Sequence, residues 1–190
     1  MHTKELTTVT FRRDGRYVAE ALDRLNHALR DWRNDDVIKM DPRLFDIAWE
    51  VHREVGSSSP FHVVSAYRSP GTNAMLRRRS RGVAKHSQHM QGKAMDFYLP
   101  DATSTQIRTV GMKLQRGGVG YYPTANTPFV HLDVGSVRSW PRMPTRCTRC
   151  CATRASSSTS TKAHPTRWRR CASVISSSNR GAHPTATSNG

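Results

Sequence analysis

Two short stretches of the sequence carry side chains of the types that bind zinc. Residues 87–96 contain His89 and Asp96, and residues 129–133 contain His131. Two imidazoles and one carboxylate make a three-ligand zinc site that leaves a fourth position open for water. Because zinc activates such a water for attack on a carbonyl group, these residues predict a hydrolase.

Short strands and a turn are predicted to position these side chains. The alternation of residues 93–99 directs Asp96 to one face of a strand, and that of residues 129–133 directs His131 and Asp133 to one face of another. His89 lies in a turn that Gly92 ends. Each residue alone is more often a satisfied, partly buried group, but three ligand types in two strand contexts are hard to explain as unrelated packing.

Helices and strands follow one another over the first 144 residues. The apolar spacing predicts helices over 18–32, 42–55, 72–79 and 103–115, and strands over 11–17, 61–67, 93–99, 118–122 and 129–134. This order predicts an α+β domain spanning residues 1–144. No apolar run approaches the ~20 residues that span a membrane.

Several motifs, in one order, make the chain resemble a family of zinc peptidases of the murein endopeptidase K type. The motifs are residues 65–70 (SAYRSP), 72–77 (TNAMLR), 87–96 (SQHMQGKAMD), 117–122 (GGVGYY) and 129–133 (FVHLD). The resemblance covers residues 8 to 142 and extends to D-Ala-D-Ala carboxypeptidases and the hedgehog-like zinc fold. It implies a small antiparallel sheet flanked by helices.

The resemblance also implies a ligand set, a substrate and a location. The zinc ion is expected on His89, Asp96 and His131, and the substrate is expected to be a peptidoglycan peptide. The family implies the periplasm or cell envelope, although no secretory signal follows Met1. A start codon placed too far downstream would explain why the export signal is missing from this sequence. The sequence does not decide whether a D,D or an L,D cross-link is cut, or whether the enzyme is an endopeptidase or a carboxypeptidase. The oligomeric state also stays open.

Asp133 is the candidate general base, since it lies two residues beyond His131 on the same strand face. The alternative is that Asp133 orients a ligand imidazole through a hydrogen bond. Related zinc peptidases carry the catalytic carboxylate three residues before the last histidine ligand, where this chain has Pro128. Both roles of Asp133 therefore stay open.

Three further residues are candidates for contact with the substrate. Arg68, at the end of the predicted strand 61–67, presents a guanidinium that can pair with a carboxylate or an oxyanion; the resemblance places it at the site, and the alternative is a surface arginine in a turn. His86 either lines the cleft or lies in a solvated loop. Tyr121 either walls the groove or packs as strand aromatics usually do.

Residues 145–190 differ in composition from the domain before them. They contain no Asp or Glu, eight Arg or Lys residues and all four cysteines. Because no apolar period appears, the segment is predicted to be a low-complexity, basic, disordered tail. Out-of-frame translation of a GC-rich gene is one explanation. The others are a genuine tail and a functional arm, either basic or built as a zinc knuckle around Cys147 and Cys150.

Three classes of function therefore compete. The leading one is a zinc-dependent peptidoglycan peptidase that uses a metal-activated water. The second is a catalytically inactive, zinc-containing domain that binds cell-wall peptides. The third is a basic nucleic-acid-binding protein, suggested by the net charge of +16, but without residues 145–190 the charge falls to 22 basic against 14 acidic residues. We expect no nucleic-acid partner.

Overall fold

Four α-helices and nine strands make up the part of the chain that the structure describes. In this computed structural model, that part comprises residues 5–80 and 82–141 and the backbone of 173–176. The helices are α1 (Ala19–Ala28), α2 (Pro42–Val55), α3 (Pro70–Arg79) and α4 (Ser104–Leu114), with a 3-10 turn at Gln88–Gln91. The strands are β1 (Leu6–Val9), β2 (Arg12–Arg13), β3 (Arg16–Tyr17), β4 (Phe61–Ser65), β5 (Ala94–Tyr98), β6 (Gly118–Tyr122), β7 (Phe129–Asp133), β8 (Arg138–Trp140) and β9 (Ser173–Ser176).

Seven of the strands form one sheet in the order β1-β9-β4-β5-β7-β6-β8. The four central strands, β4, β5, β7 and β6, are antiparallel, whereas β9 pairs with β4, and β8 with β6, in parallel. The predicted α+β class, with a small sheet and flanking helices, is confirmed. In the register of the sheet, Asp96 lies opposite His131, and Gly120 lies opposite His131 on its other side.

One face of this sheet is apolar and packs against helices. Met95, Phe97, Val130 and Leu132 are buried there, and the Gly111 position of α4 lies against the Leu132 side chain. Alternation along β5 and β7 therefore leaves Asp96, His131 and Asp133 on the opposite face.

The boundaries of α2 follow the local sequence signals. The Asp41 side chain accepts a hydrogen bond from the Arg43 backbone N–H, Pro42 opens the helix, and Gly56 ends it in a left-handed conformation. The predicted helix over 42–55 is confirmed in both of its ends.

The first predicted helix and the first predicted strand differ most from the structure. Helix α1 ends at Ala28 rather than at 32, because Asp31 pairs with Asp36 across a turn and its buried carboxylate accepts the Ser69 backbone N–H at 2.9 Å. The predicted strand 11–17 is a hairpin of two two-residue strands, since Asp14 and Gly15 adopt left-handed backbone conformations.

Within residues 145–190 the structure describes only strand β9, which lies between β1 and β4. The sequence shows no strand period there, so this strand was not predicted. The expectations of a disordered tail, a shifted reading frame and a cysteine cluster otherwise fall outside the described residues. In the described part of the chain, none of the helices combines the length and the apolar character needed to cross a lipid bilayer.

Candidate metal centre

His89, Asp96 and His131 converge on one buried point. The Nδ1 atom of His131 lies 2.8 Å from Asp96 Oδ1 and 3.1 Å from His89 Nε2, and His89 Nε2 lies 3.3 Å from Asp96 Oδ1. The three side chains come from β7, β5 and the 3-10 turn before β5, and each is at most 6% exposed. The sequence placed these three residues in one site, and the structure brings them together.

The outer nitrogen of each imidazole is held by an acceptor. His89 Nδ1 lies 2.6 Å from the carbonyl oxygen of Ala66, and His131 Nε2 lies 2.9 Å from Asp133 Oδ2. A carbonyl and a carboxylate only accept hydrogen bonds, so these two nitrogens carry the ring protons. In the neutral rings, His89 Nε2 and His131 Nδ1 then face the centre with lone pairs.

This arrangement suits a cation. Three acceptor atoms face one another at 2.8–3.3 Å, and they repel unless a proton or a metal ion lies between them. Ligands about 2.1 Å from a single tetrahedral ion lie roughly 3.4 Å apart, so the observed spacing needs only a small expansion. Two imidazoles and a carboxylate also match the donor types of catalytic zinc sites, and the residues therefore fit a zinc ion.

The pKa values of the three groups follow from burial and mutual contact. Burial lowers the pKa of His89. Burial also opposes the charge on His131, but its hydrogen bonds to Asp133 and Asp96 outweigh burial and raise its pKa. Although burial acts against the Asp96 carboxylate as well, its contacts with the protonated forms of His89 and His131 hold its pKa far below the usual range. Because a metal must displace the His131 proton, metal affinity falls as the pH is lowered.

Asp133 lies behind His131 rather than beside the converging atoms. Its Oδ1 accepts the backbone N–H groups of Gly118 at 3.1 Å and Gly135 at 2.8 Å. Arg138 donates to both carboxylate oxygens, at 3.1 and 2.7 Å. The carboxylate is 1% exposed, and its hydrogen bonds to His131 and Arg138 outweigh burial and lower its pKa. This geometry favours the orienting role among the two that the sequence left open.

Arg68 lies at the edge of the cluster. One terminal nitrogen of its guanidinium donates to Asp96 Oδ2 at 3.3 Å, and its Nε donates to Ser65 Oγ at 3.4 Å. Its backbone N–H donates to the His89 carbonyl at 3.3 Å, so the segment that follows β4 is joined to the turn that carries His89. Arg68 therefore lies in contact with the cluster, and its side chain is 12% exposed.

A cavity of about 270 Å³ opens onto the cluster. All three candidate ligands and Arg68 line it, and His86 is an exposed part of its wall. Its other walls include Gln88, Tyr122, Arg138 and Trp140. The cavity gives a substrate access to the converging ligand atoms.

Tyr121 lies away from this cavity. Its hydroxyl group shares a hydrogen bond with the Thr105 hydroxyl at 2.9 Å, and Arg108 lies over its ring, so Tyr121 contacts α4. The neighbouring Tyr122 lines the cavity instead and stacks on Phe129. Strand alternation explains the difference, because Tyr122 shares the face of Gly120 and His131 whereas Tyr121 shares that of Val130.

Known proteins include relatives of this chain. Residues 1–140 match the family model Peptidase_M15_2, described as "Peptidoglycan L,D-endopeptidase MepK". The chain belongs to this family. No solved structure matches the chain.

Curated relatives give the extent of the similarity. Over 141 residues the chain is 44% identical to the peptidoglycan L,D-endopeptidase MepK of Escherichia coli strain K12. The aligned region covers 74% of this chain and 76% of that protein. Over 120 residues it is 44% identical to the probable peptidoglycan L,D-endopeptidase MepK of Haemophilus influenzae, with 63% of each chain covered.

Strand β8, which completes the site wall, was not predicted from the sequence. A Cβ at Gly118 would lie 2.4 Å from Asp133 Oδ2, and one at Gly120 would lie 2.6 Å from the Trp140 ring. The two glycines therefore allow Asp133, Arg138 and Trp140 to pack directly on β6. The run of glycines in residues 117–120 was the available signal for this close packing.

Substitution of Gly120 by alanine is expected to destabilise the fold and to disturb the site. The added methyl group must displace the Trp140 indole, which lies 5.0 Å from the His131 ring between centroids. Overpacking of this kind costs about 1–3 kcal/mol, measurable as a lower free energy of unfolding with altered tryptophan fluorescence. Gly71→Ala is the matched control, since nothing lies within 4 Å of its added Cβ. Equal stability of the two variants would contradict the packing described.

Proposed function

We propose that this protein is a zinc-dependent L,D-endopeptidase of peptidoglycan that acts in the periplasm or cell envelope. The convergence of His89, Asp96 and His131 with their lone pairs directed inward carries the proposal. The names of its relatives support the substrate and the bond. A peptide cross-link is the substrate class, and the cavity of about 270 Å³ is its entry to the cluster.

The side chains of the site divide the work of peptide hydrolysis. Zinc, when bound by His89, Asp96 and His131, supplies a water of lowered pKa and polarises the scissile carbonyl. Ala66 and Asp133 hold the two imidazoles in the tautomers that direct lone pairs inward. Burial of the three side chains lowers the local dielectric around them, which strengthens each of these electrostatic contacts.

Arg68 is proposed to bind a carboxylate of the substrate or the oxyanion that forms during hydrolysis. Its guanidinium is 12% exposed and is fixed by Asp96 and Ser65 beside the cluster. A fixed cation at a buried site stabilises developing negative charge without reorganisation. His86 and Tyr122 line the same cavity and are proposed to contact the peptide beyond the reacting bond.

The Arg68→Lys variant is expected to retain zinc and to lose catalytic efficiency by about 10- to 100-fold, because lysine keeps the charge but not the planar pair of donors. The measurement is kcat/KM on a cross-linked peptide together with the zinc content. Arg116→Lys is the control, since Arg116 pairs with Glu50 at a different surface. Unchanged efficiency in Arg68→Lys would assign Arg68 a structural role.

Digestion of purified peptidoglycan by the full chain tests the proposed function. The zinc-loaded protein is expected to convert L,D-cross-linked muropeptide dimers to monomers and to leave D,D-cross-linked dimers intact, with the products identified by mass. Cleavage of D,D cross-links alone would overturn the proposed bond specificity.

A catalytically inactive cell-wall-binding domain is the second candidate. One observation favours it, which is that both oxygens of Asp133 accept hydrogen bonds from the protein and the carboxylate is buried. Such a group is poorly placed to exchange protons with a substrate. Zinc binding and retention on peptidoglycan without release of any muropeptide would select this candidate.

A further inference from the structure

We propose that Arg138 is a positioning residue that holds His131 in its metal-binding tautomer and orientation, acting through Asp133. The inference rests on the metal-binding role of His131 in the proposed function. Arg138 lies on β8, outside the segments that provide the three candidate ligands, and its effect on the cluster passes through a carboxylate.

The Arg138 guanidinium forms a two-point contact with the Asp133 carboxylate. Its two terminal nitrogens donate to Oδ1 at 3.1 Å and to Oδ2 at 2.7 Å. One of them also donates to the Ser136 carbonyl at 2.9 Å, which fixes the guanidinium plane. Paired parallel hydrogen bonds restrict the rotation of a carboxylate far more than a single bond does.

The fixed carboxylate determines what His131 presents to the cluster. Oδ1 is occupied by Gly118 and Gly135, and Oδ2 is directed at His131 Nε2 at 2.9 Å. Because Oδ2 accepts, the single proton of the neutral ring stays on Nε2, and Nδ1 faces the cluster with its lone pair. Loss of Arg138 removes two of the donors that set this orientation.

Strand β8 supports His131 a second time through Trp140. The Trp140 ring lies 5.0 Å from the His131 ring between centroids, and Arg138 lies 5.1 Å from the centroid of Trp140. In register with β6, Arg138 lies beside Gly118 and Trp140 beside Gly120. The same short strand therefore fixes the hydrogen bond of the His131 ring, through Arg138 and Asp133, and restricts the tilt of that ring, through Trp140.

The test is the zinc dissociation constant of the full chain, measured by competition with a chromogenic chelator. The Arg138→Met variant is expected to bind zinc about 10- to 100-fold more weakly than the parent protein, the range typical for loss of a group that orients a metal ligand. Arg138→Lys keeps the positive charge but not the paired N–H donors. It is expected to bind zinc more tightly than Arg138→Met and more weakly than the parent protein. Arg116→Met, which removes a paired arginine away from the cluster, should match the parent.

Two further readings separate positioning from general stability. The 15N shifts of His131 in the metal-free protein, recorded at a pH high enough for the ring to be neutral, should show Nε2 protonated in the parent and a mixture of tautomers in Arg138→Met. The Tm values of both Arg138 variants bound to zinc report folding. Zinc affinity equal to the parent in Arg138→Lys and Arg138→Met would overturn the inference. Failure of the parent protein to cleave peptidoglycan would overturn the proposed function but not this result, because zinc affinity is read without substrate.

Discussion

Replacement of His131 by alanine is expected to remove zinc from the purified protein and to abolish hydrolysis. His131 lies within 3.1 Å of both other candidate ligands, and an open three-ligand site has no spare donor. Zinc content should fall from about one equivalent to nearly none at neutral pH. The measurement is metal analysis after dialysis, together with muropeptide release.

The control is His27→Ala, which removes an exposed imidazole from α1. This variant should keep the zinc content and the activity of the parent protein. Full retention of zinc by His131→Ala would show that the zinc is bound elsewhere in the protein.

Asp133→Asn is expected to weaken zinc binding by ~10-fold or more and, as a consequence, to lower activity at limiting zinc. Donors surround the carboxylate on both oxygens, so the new amide NH2 group must face one of them. The His131 ring can relieve that conflict by accepting at Nε2. The ring proton then moves to Nδ1, which can no longer bind a metal.

The same variant separates the two roles that the sequence left open for Asp133. A general base at this position predicts normal zinc affinity with turnover reduced by ~100-fold or more. An orienting residue predicts that much of the lost activity returns at high zinc concentration. Zinc affinity and turnover both equal to the parent would exclude both roles.

The local sequence was sufficient for the candidate ligands and for most of the elements that carry them. Alternation in β5 and β7 predicted that Asp96 and His131 leave the apolar face, and the register of these strands places them side by side. Gly92 ends the turn that carries His89, with a left-handed backbone. These features depend on neighbours in sequence, which is why a single chain was enough to predict them.

The parts that could not be predicted depend on contacts between distant segments. Asp133 was placed on the face of His131, but its position behind the ring follows from Arg138 and Gly118, which come from two other strands. Strand β8 has only three residues, too few for a periodic signal. The choice of Tyr122 over Tyr121 as the cavity residue required the register of β6 against β7.

The same long-range dependence explains the early end of α1. Apolar spacing continues through Trp32, but the buried Asp31 carboxylate accepts the backbone N–H groups of Ser69 and Arg33. The bond from Ser69, 38 residues away in sequence, joins Asp31 to the turn that follows Arg68. Tertiary contacts of this kind override helix propensity.

The most direct test of the zinc-dependent peptidase is reconstitution of the metal-free full chain on an L,D-cross-linked muropeptide. After chelation and removal of the chelator, the protein should release no monomer, and activity should return with added zinc and saturate near one equivalent per chain. His131→Ala should stay inactive at every zinc concentration. Cleavage by the zinc-free parent protein, or no cleavage by the zinc-saturated one, would contradict this account.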